Sequence, residues 1–369
     1  MKTVRRLLYA ETIRAIGFVS LGFIALFFFF DFVEELKAVN QIRALGYQIP
    51  QALLFVGLMI PTHLYELLPI TVLIGSVFVM ARFAKSSEFT VLRTSGLGPW
   101  LALKTLLILG LGFVLLTFVV GDYVSPLADR SAQFLKSAFK GKLAHGKTGT
   151  WLKEKQAGRH FAVNVGSVAP DGSLRDVRIF EFDDNSRFVS VTNSQWASAQ
   201  DNAQWTLHGV KKMAFVPDGP SGIQTVTHSQ AATLSWPNSI SADMVAAAIL
   251  RPENMGTVDL FNYVQHLSAN GQSVQKYELQ FWKKVFYPLS CLVMVVLALP
   301  FAYLHFRSGG ISVYVFGGVM AGISFLLLNN VLSDMATLQG WQPWLAAALP
   351  GLIYSVVSLS AFTWLVLRR

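Results

Sequence analysis

The sequence predicts an α-helical polytopic membrane protein: six transmembrane helices, with an all-β, jellyroll-like domain inserted between the third and the fourth. Three observations predict it. The chain is 53% hydrophobic and 14% charged, with a mean hydropathy of +0.46, which is more apolar surface than one soluble domain can bury. Six windows, 13–30, 52–81, 100–120, 281–304, 311–332 and 344–367, are apolar enough, and long enough as helices, to cross a hydrocarbon layer of about 30 Å. Between the third and fourth windows, residues 150–236 switch to a period of two, broken by turn signals. The chain thus divides into 1–121 (three spans, with a short helix near 86–96), 122–280 (the strand domain with flanking helices) and 281–369 (three spans).

The first window is not followed by a small-residue cleavage pattern and runs into Asp31-Phe32-Val33-Glu34-Glu35-Leu36, which continues a helix. It reads as a retained span, not a removed leader. The second window would measure about 45 Å as a helix, longer than the hydrocarbon requires. Pro61 and Pro69 are its expected kink sites, and His63 and Glu66 put polar groups near its outer end. A membrane Glu is a functional candidate by default. No series of acids continues through the other spans, so Glu66 reads as a wet structural residue ahead of a proton relay.

Between the second and third spans, residues 85–96 form a short amphipathic helix with Ser87 as N-cap, Phe89, Leu92 and Val91 as its apolar face, and Gly96 as its stop. Two readings stand level. The helix either lies on the lipid interface or docks into a cytoplasmic partner, with Glu88 meeting a cation there.

Net charge is +9, but its location matters more than its size. The spans with their short connections carry 15 Lys/Arg against 7 Asp/Glu, whereas residues 122–280 carry 15 against 14. The excess is not a nucleic-acid footprint. Lys2, Arg5, Arg6 and Arg14, then Arg82, Lys85 and Arg93, then Arg307, Arg368 and Arg369 cluster at alternate ends of the spans. The positive-inside rule puts both termini in the cytoplasm and the insert outside, in the periplasm of a bacterial inner membrane protein.

At the start of the insert, GKLAHGKT (141–148) matches the phosphate-cradling pattern G-x-x-x-x-G-K-[ST]. That loop needs a buried strand before it and a helix after it. Residues 129–136 are polar and helix-like and residues 150–155 alternate, so the stretch reads as a basic turn facing a compartment without nucleotide. Alternating segments follow at 161–165, 177–182, 188–191, 205–210 and 225–227, too closely spaced for intervening helices. They indicate a small sandwich or jelly roll. Residues 257–267 then place Leu260, Val264 and Leu267 on one helical face, with Thr257 or Asp259 as cap and Gly271 as terminator.

No catalytic, cofactor or metal constellation emerges. His145, His160, His208, His228 and His266 are scattered, and the single Cys291 lies inside a span, so no disulfide forms within the chain.

Residues 83–96, the Gly121-Asp122-Tyr123-Val124-Ser125-Pro126 stretch, and residues 260–271 continuing to Lys284-Val285-Phe286-Tyr287-Pro288-Leu289-Ser290 and Leu297-Ala298-Leu299-Pro300-Phe301 resemble the lipopolysaccharide-export permease family. The similarity runs nearly end to end and is greater to its LptG-type than to its LptF-type subunits, partly through residues 317–349. The resemblance implies a non-enzymatic permease subunit of an ABC-type transporter, paired with an LptF-type subunit. An LptB-type ATPase dimer would supply the energy, and an LptC-type single-helix protein would join at the side. Lipopolysaccharide would leave the inner membrane and pass to a periplasmic bridge protein. It further implies ATPase coupling through Glu88, Phe89, Leu92 and Arg93. Lipopolysaccharide contact would fall to Lys37, Phe27, Phe28, Phe30, Arg130 and Lys136, with Arg43 as a further cation. Asp31 departs from the pattern, standing where the LptG type usually has lysine. A scaffold whose strand domain binds protein is the alternative, and a lipid head-group enzyme is disfavoured for want of a catalytic grouping.

The predicted sidedness has a direct test. A cysteine at position 147 should react with an impermeant thiol reagent added to intact spheroplasts, whereas one at position 88 should react only after lysis; the opposite pattern rejects the topology.

Overall fold

A computed structural model describes residues 2–43, 46–86, 88–94, 96, 98–140, 149–156, 158–169, 172–200, 204–218, 223–240, 244–245, 252–303 and 311–367. They form two compact units: a membrane unit of Met1–Gln41, Gln48–Asp129 and Glu278–Arg369, and a strand unit of Ile42–Tyr47 and Arg130–Tyr277.

Six helices are long and apolar enough to span a bilayer. In chain order, α1 is Lys2–Ile42, α2 Ile49–Lys85, the short α3 Glu88–Thr94 and α4 Pro99–Val119, which runs through a π-turn at Val120–Val124 into α5, Ser125–Lys140. After the strands come α6, Thr257–Ala269, and α7, Gln275–Phe286, continued by a 3₁₀ turn at Tyr287–Leu289, α8 (Ser290–Ala298) and a second 3₁₀ turn at Leu299–Tyr303. Helices α9, Ile311–Gln339, and α10, Pro343–Leu367, complete the unit.

Helix α2 is the hub: Leu67 through Val77 are all buried. Val72, Leu73 and Met80 pack with Leu106 of α4, Met294 and Val295 of α8, and Phe325 of α9. It continues through Pro61 and Pro69. One turn before Pro69, whose ring disturbs the helix bonding, the Tyr287 hydroxyl donates to the Glu66 carbonyl at 2.5 Å. The carbonyl that Pro69 itself leaves without an intrahelical donor is that of Tyr65, one residue earlier.

Helix α1 is held differently, along one narrow seam antiparallel to α2. Arg82 meets Glu11 at 2.6 Å, Gly75 meets Ile16 and Asp31 meets His63 at 2.5 Å. A Cβ on Gly75 would stand 2.6 Å from Ile16, so the two backbones close up only because that side chain is absent. Tyr9 adds a hydrogen bond to the Thr105 carbonyl of α4 at 3.2 Å. Leu8, Thr12 and Ser20 are buried along this seam, whereas the outer face of α1 is bare, with Phe18, Leu21, Phe29 and Phe30 exposed.

The strand unit contains a six-stranded sheet in simple up-and-down order, every neighbouring pair antiparallel. Its strands are β1 (Thr150–Gln156), β2 (Arg159–Val168), β3 (Leu174–Phe182), β4 (Phe188–Gln200), β5 (Gln204–Asp218) and β6 (Ile223–Pro237). Leu152, Val163, Val165, Val177, Ile179 and Leu207 supply its buried face, as their alternation with polar residues requires. The strands outrun the segments legible in sequence, because pairing extends them over residues such as 194–200 that lack a clean alternation. The edge strand β6 is exposed from Thr225 to Ser235. The GKLAHGKT stretch lies outside the described residues, but the described elements on either side are helix α5 and strand β1. That is the reverse of the order a phosphate loop needs.

Helix α6 buries Leu260, Tyr263 and Leu267, with Val264 half-buried. Its cap is Gly256, not Thr257 or Asp259; Asp259 instead pairs with Arg130 at 2.7 Å. Gly271 ends the helix at φ +62°, a left-handed conformation that glycine adopts without strain.

Within the sheet, burial works to raise the Glu181 carboxyl. It is outweighed by the Ser190 hydroxyl at 2.6 Å, the Arg159 guanidinium and the Lys212 ammonium at 3.8 Å, which together hold the group below the ordinary glutamate range. A carboxyl that titrates lower folded than unfolded contributes fully above its unfolded pKa and loses that contribution as pH falls through the folded value. Glu181→Gln should therefore cost about 1–3 kcal/mol at neutral pH, a gap that closes below about pH 4. Hydrogen exchange of β3 and β4 amides in the full chain measures it, and a gap independent of pH contradicts the assignment.

Candidate functional site

The two stretches that flank the insert, 121–126 and 284–290, come together in the membrane unit. The π-turn adds one residue to the end of α4 and turns the Gly121 carbonyl out of the helix ladder. The Nζ of Lys284, a buried residue of α7, donates to that carbonyl at 3.0 Å. The same ammonium stands 5.9 Å from the Tyr65 ring centre, a cation–π distance. Gly121 is required here: a Cβ would lie 2.2 Å from the Tyr65 ring.

A second polar group continues from it. Thr62 on α2 donates to Asp129 Oδ1 at 2.9 Å and shares a hydrogen bond with Ser125 at 2.8 Å. Asp129 is buried, and its other oxygen, Oδ2, has no hydrogen-bond partner among the described residues. Both Lys284 and His63 act on the Asp129 carboxylate electrostatically. Buried charges in a membrane protein persist where opposite charge and hydrogen bonds meet them, and here α2, the π-turn, α5 and α7 each contribute. Glu66 projects at the exposed side of this cluster, and its carbonyl, not its carboxylate, joins the network.

The same end of the membrane unit carries several residues that the resemblance implicates in lipid contact. Phe27 lies against the His63 ring at 5.1 Å and Phe28 stacks on Phe32 at 6.5 Å, both half-buried. Phe30 and Lys37 are exposed. Phe29 is as exposed as Phe30. Asp31 is occupied by His63. In the strand unit, Arg130 is committed to Asp259, Lys136 is half-buried, and Arg43 is exposed.

At the opposite end of the spans, α3 divides its residues sharply. Phe89 and Leu92 are buried in the chain's own core, with Phe89 edge-on to Tyr303 at 5.0 Å. Glu88 and Val91 face outward, Val91 at 62% exposure. Val91 thus leaves the apolar face that the sequence assigns it: residues 89 and 92 are one turn apart, and 91 falls on the far side. Ser87 and the Arg93 side chain lie outside the described residues. Phe89 and Leu92 anchor the helix, so contact with anything beyond the chain falls to Glu88 and Val91.

One grouping missed in the sequence lies in the strand unit. Ser239 donates its hydroxyl to Glu154 Oε2 at 2.8 Å and stands 3.4 Å from His266 Nδ1. Residues 85 and 27 positions apart carry no local signal of this. The serine proton points to the carboxylate and not to the imidazole, which is not the order nucleophile activation needs. The group instead ties β1 to α6 and the segment after β6.

A multi-pass membrane protein with a strand domain inserted midway along its spans, and a short helix plugged in between the second and third, has the build of a transport subunit. The family model described as "Lipopolysaccharide export system permease LptF/LptG" matches residues 6–368, and the chain belongs to that family. It is 29% identical over 340 residues to the "Lipopolysaccharide export system permease protein LptG" of Haemophilus influenzae, covering 90% of this chain and 91% of the relative. It is 27% identical over 343 residues to the protein of that name in Escherichia coli K12, covering 92% and 90%.

The polar cluster yields a paired prediction. Gly121→Ala should destabilise the detergent-solubilised chain by about 1–3 kcal/mol through the clash with Tyr65. Gly112→Ala, on the same helix with open space around it, should be neutral or stabilising by up to about 1 kcal/mol. Equal melting shifts for the two variants would refute the packing argument.

Proposed function

We propose that this chain is an LptG-type permease subunit of an ABC-type transporter, and that it extracts lipopolysaccharide from the outer leaflet of the inner membrane. The observation that carries the reading is the family match along nearly the whole chain. The protein then works with an LptF-type permease, an LptB-type ATPase dimer and an LptC-type single-helix protein. Its termini and α3 lie in the cytoplasm and its strand unit in the periplasm.

The division of labour within α3 supports coupling to an ATPase. An acidic side chain at the surface, Glu88, offers a charge for a cationic groove, while Phe89 and Leu92 pass displacement into the core. The bare face of α1 supports a lateral lipid path, since Phe18, Leu21, Phe29 and Phe30 offer hydrocarbon and Lys37 offers a cation for phosphate. The exposed edge strand β6 is open to strand addition by a bridge protein of similar build.

Glu88→Lys in the reconstituted complex should lower lipid release and lipid-coupled ATP hydrolysis about tenfold, the effect of about 1.4 kcal/mol of lost contact. Its melting temperature should match wild type, because the side chain is exposed. Unchanged hydrolysis and release would remove Glu88 from the coupling path. Release that persists from vesicles lacking this subunit would favour the scaffold reading.

A further inference from the structure

We propose that a crevice between α8, α9 and α10 is a site for one acyl chain of a bilayer glycerophospholipid, separate from the lipid path along α1. The crevice holds about 150 Å³. Phe286, Leu289 and Val293 form one wall, Phe325 a second, and Pro350 and Leu352 a third. An apolar cavity of this size stays dry and accepts a benzene-sized guest, or roughly six carbons of a single chain.

Its hydroxyls are spent within the protein. The Ser355 hydroxyl donates to the Gly351 carbonyl at 2.7 Å, Ser290 donates to the Tyr287 carbonyl, and the Tyr287 hydroxyl is spent on Glu66. The lining is therefore mostly hydrocarbon, with Asn329 as a further polar side chain. Lys283, in the last turn of α7, adds a cation to it. An anionic head group with a hydrocarbon tail matches that polarity. Leu289 and Leu352 of its lining are exposed, which opens the slot to surrounding lipid. An empty slot would forfeit dispersion contacts along its lining. The occupant is thus a lipid that the bilayer supplies in bulk.

Gly351 makes the site testable, because it lines the crevice and a Cβ added there would meet nothing within 4 Å. The full chain, with its partner subunits, is placed in nanodiscs of phosphatidylglycerol containing a trace of the same lipid bearing a mid-chain diazirine, then photolysed and mapped by mass spectrometry. Crosslinks to Val293, Phe325 and Leu352 are expected, falling about tenfold in Gly351→Leu and in Val293→Phe, which narrows the slot from the opposite wall. Lys283→Gln should weaken them by a smaller factor. Crosslinks to the bare face of α1 at Phe18 serve as the unaffected control. The proposal is overturned if crosslinking at the crevice is no greater than at Phe18, or if neither slot-filling variant reduces it. Displacement of the probe by added lipopolysaccharide would also overturn it, since the slot would then belong to the transported lipid.

Discussion

An ammonium buried at the rim of a membrane needs a counterpart that cannot drift away. For Lys284 that counterpart is a backbone carbonyl 163 residues distant, Gly121, on the far side of the inserted domain. The contact depends on a chain of local necessities. The π-turn frees the carbonyl, glycine lets Tyr65 pass over it, and Tyr65 lends its ring face to the cation. The point where the chain leaves the first three spans is thereby joined to the point where it enters the last three, and the membrane unit closes on itself across an insertion of about 150 residues in the chain. Thr62, Ser125 and Asp129 extend the same joint to α2.

Against this well-held centre, α1 is loosely attached. Among the described residues, the Arg82–Glu11 and Asp31–His63 pairs, the Tyr9 hydrogen bond and a narrow buried seam through Leu8, Thr12 and Ile16 hold a helix of 41 residues, and much of its surface is left for lipid or a partner. In a bilayer no hydrophobic effect drives helix against helix, so close packing and polar links decide which helices stay together. A helix with few of either is the one able to separate, which suits the lateral lipid entry proposed for this family member. The Asp31–His63 pair makes position 31 an internal clasp on α2.

Much of this was legible in the sequence, for identifiable reasons. Long apolar runs gave the six spans, alternation gave the sheet, and one-turn spacing gave Phe89 and Leu92 as the apolar face of α3, but not that this face turns into the chain's own core. What stayed hidden was whatever depends on juxtaposition across distance. No periodicity announces that Asp31 will find His63, that Arg130 will be taken up by Asp259, or that Ser239 will stand between Glu154 and His266. The π-turn was likewise invisible, because one extra residue in a helix leaves the apolar pattern almost unchanged. Val91 was misassigned because a short helix offers too few residues to fix its phase.

The burial of Phe89 against Tyr303 has a mechanical meaning. Tyr303 terminates the fourth span, whereas α3 is tethered by its chain ends to the second and third. A displacement of α3 therefore cannot be absorbed by flexing one loop: through Phe89 and Tyr303 it also loads the fourth span, as a wedge driven into a joint loads both timbers.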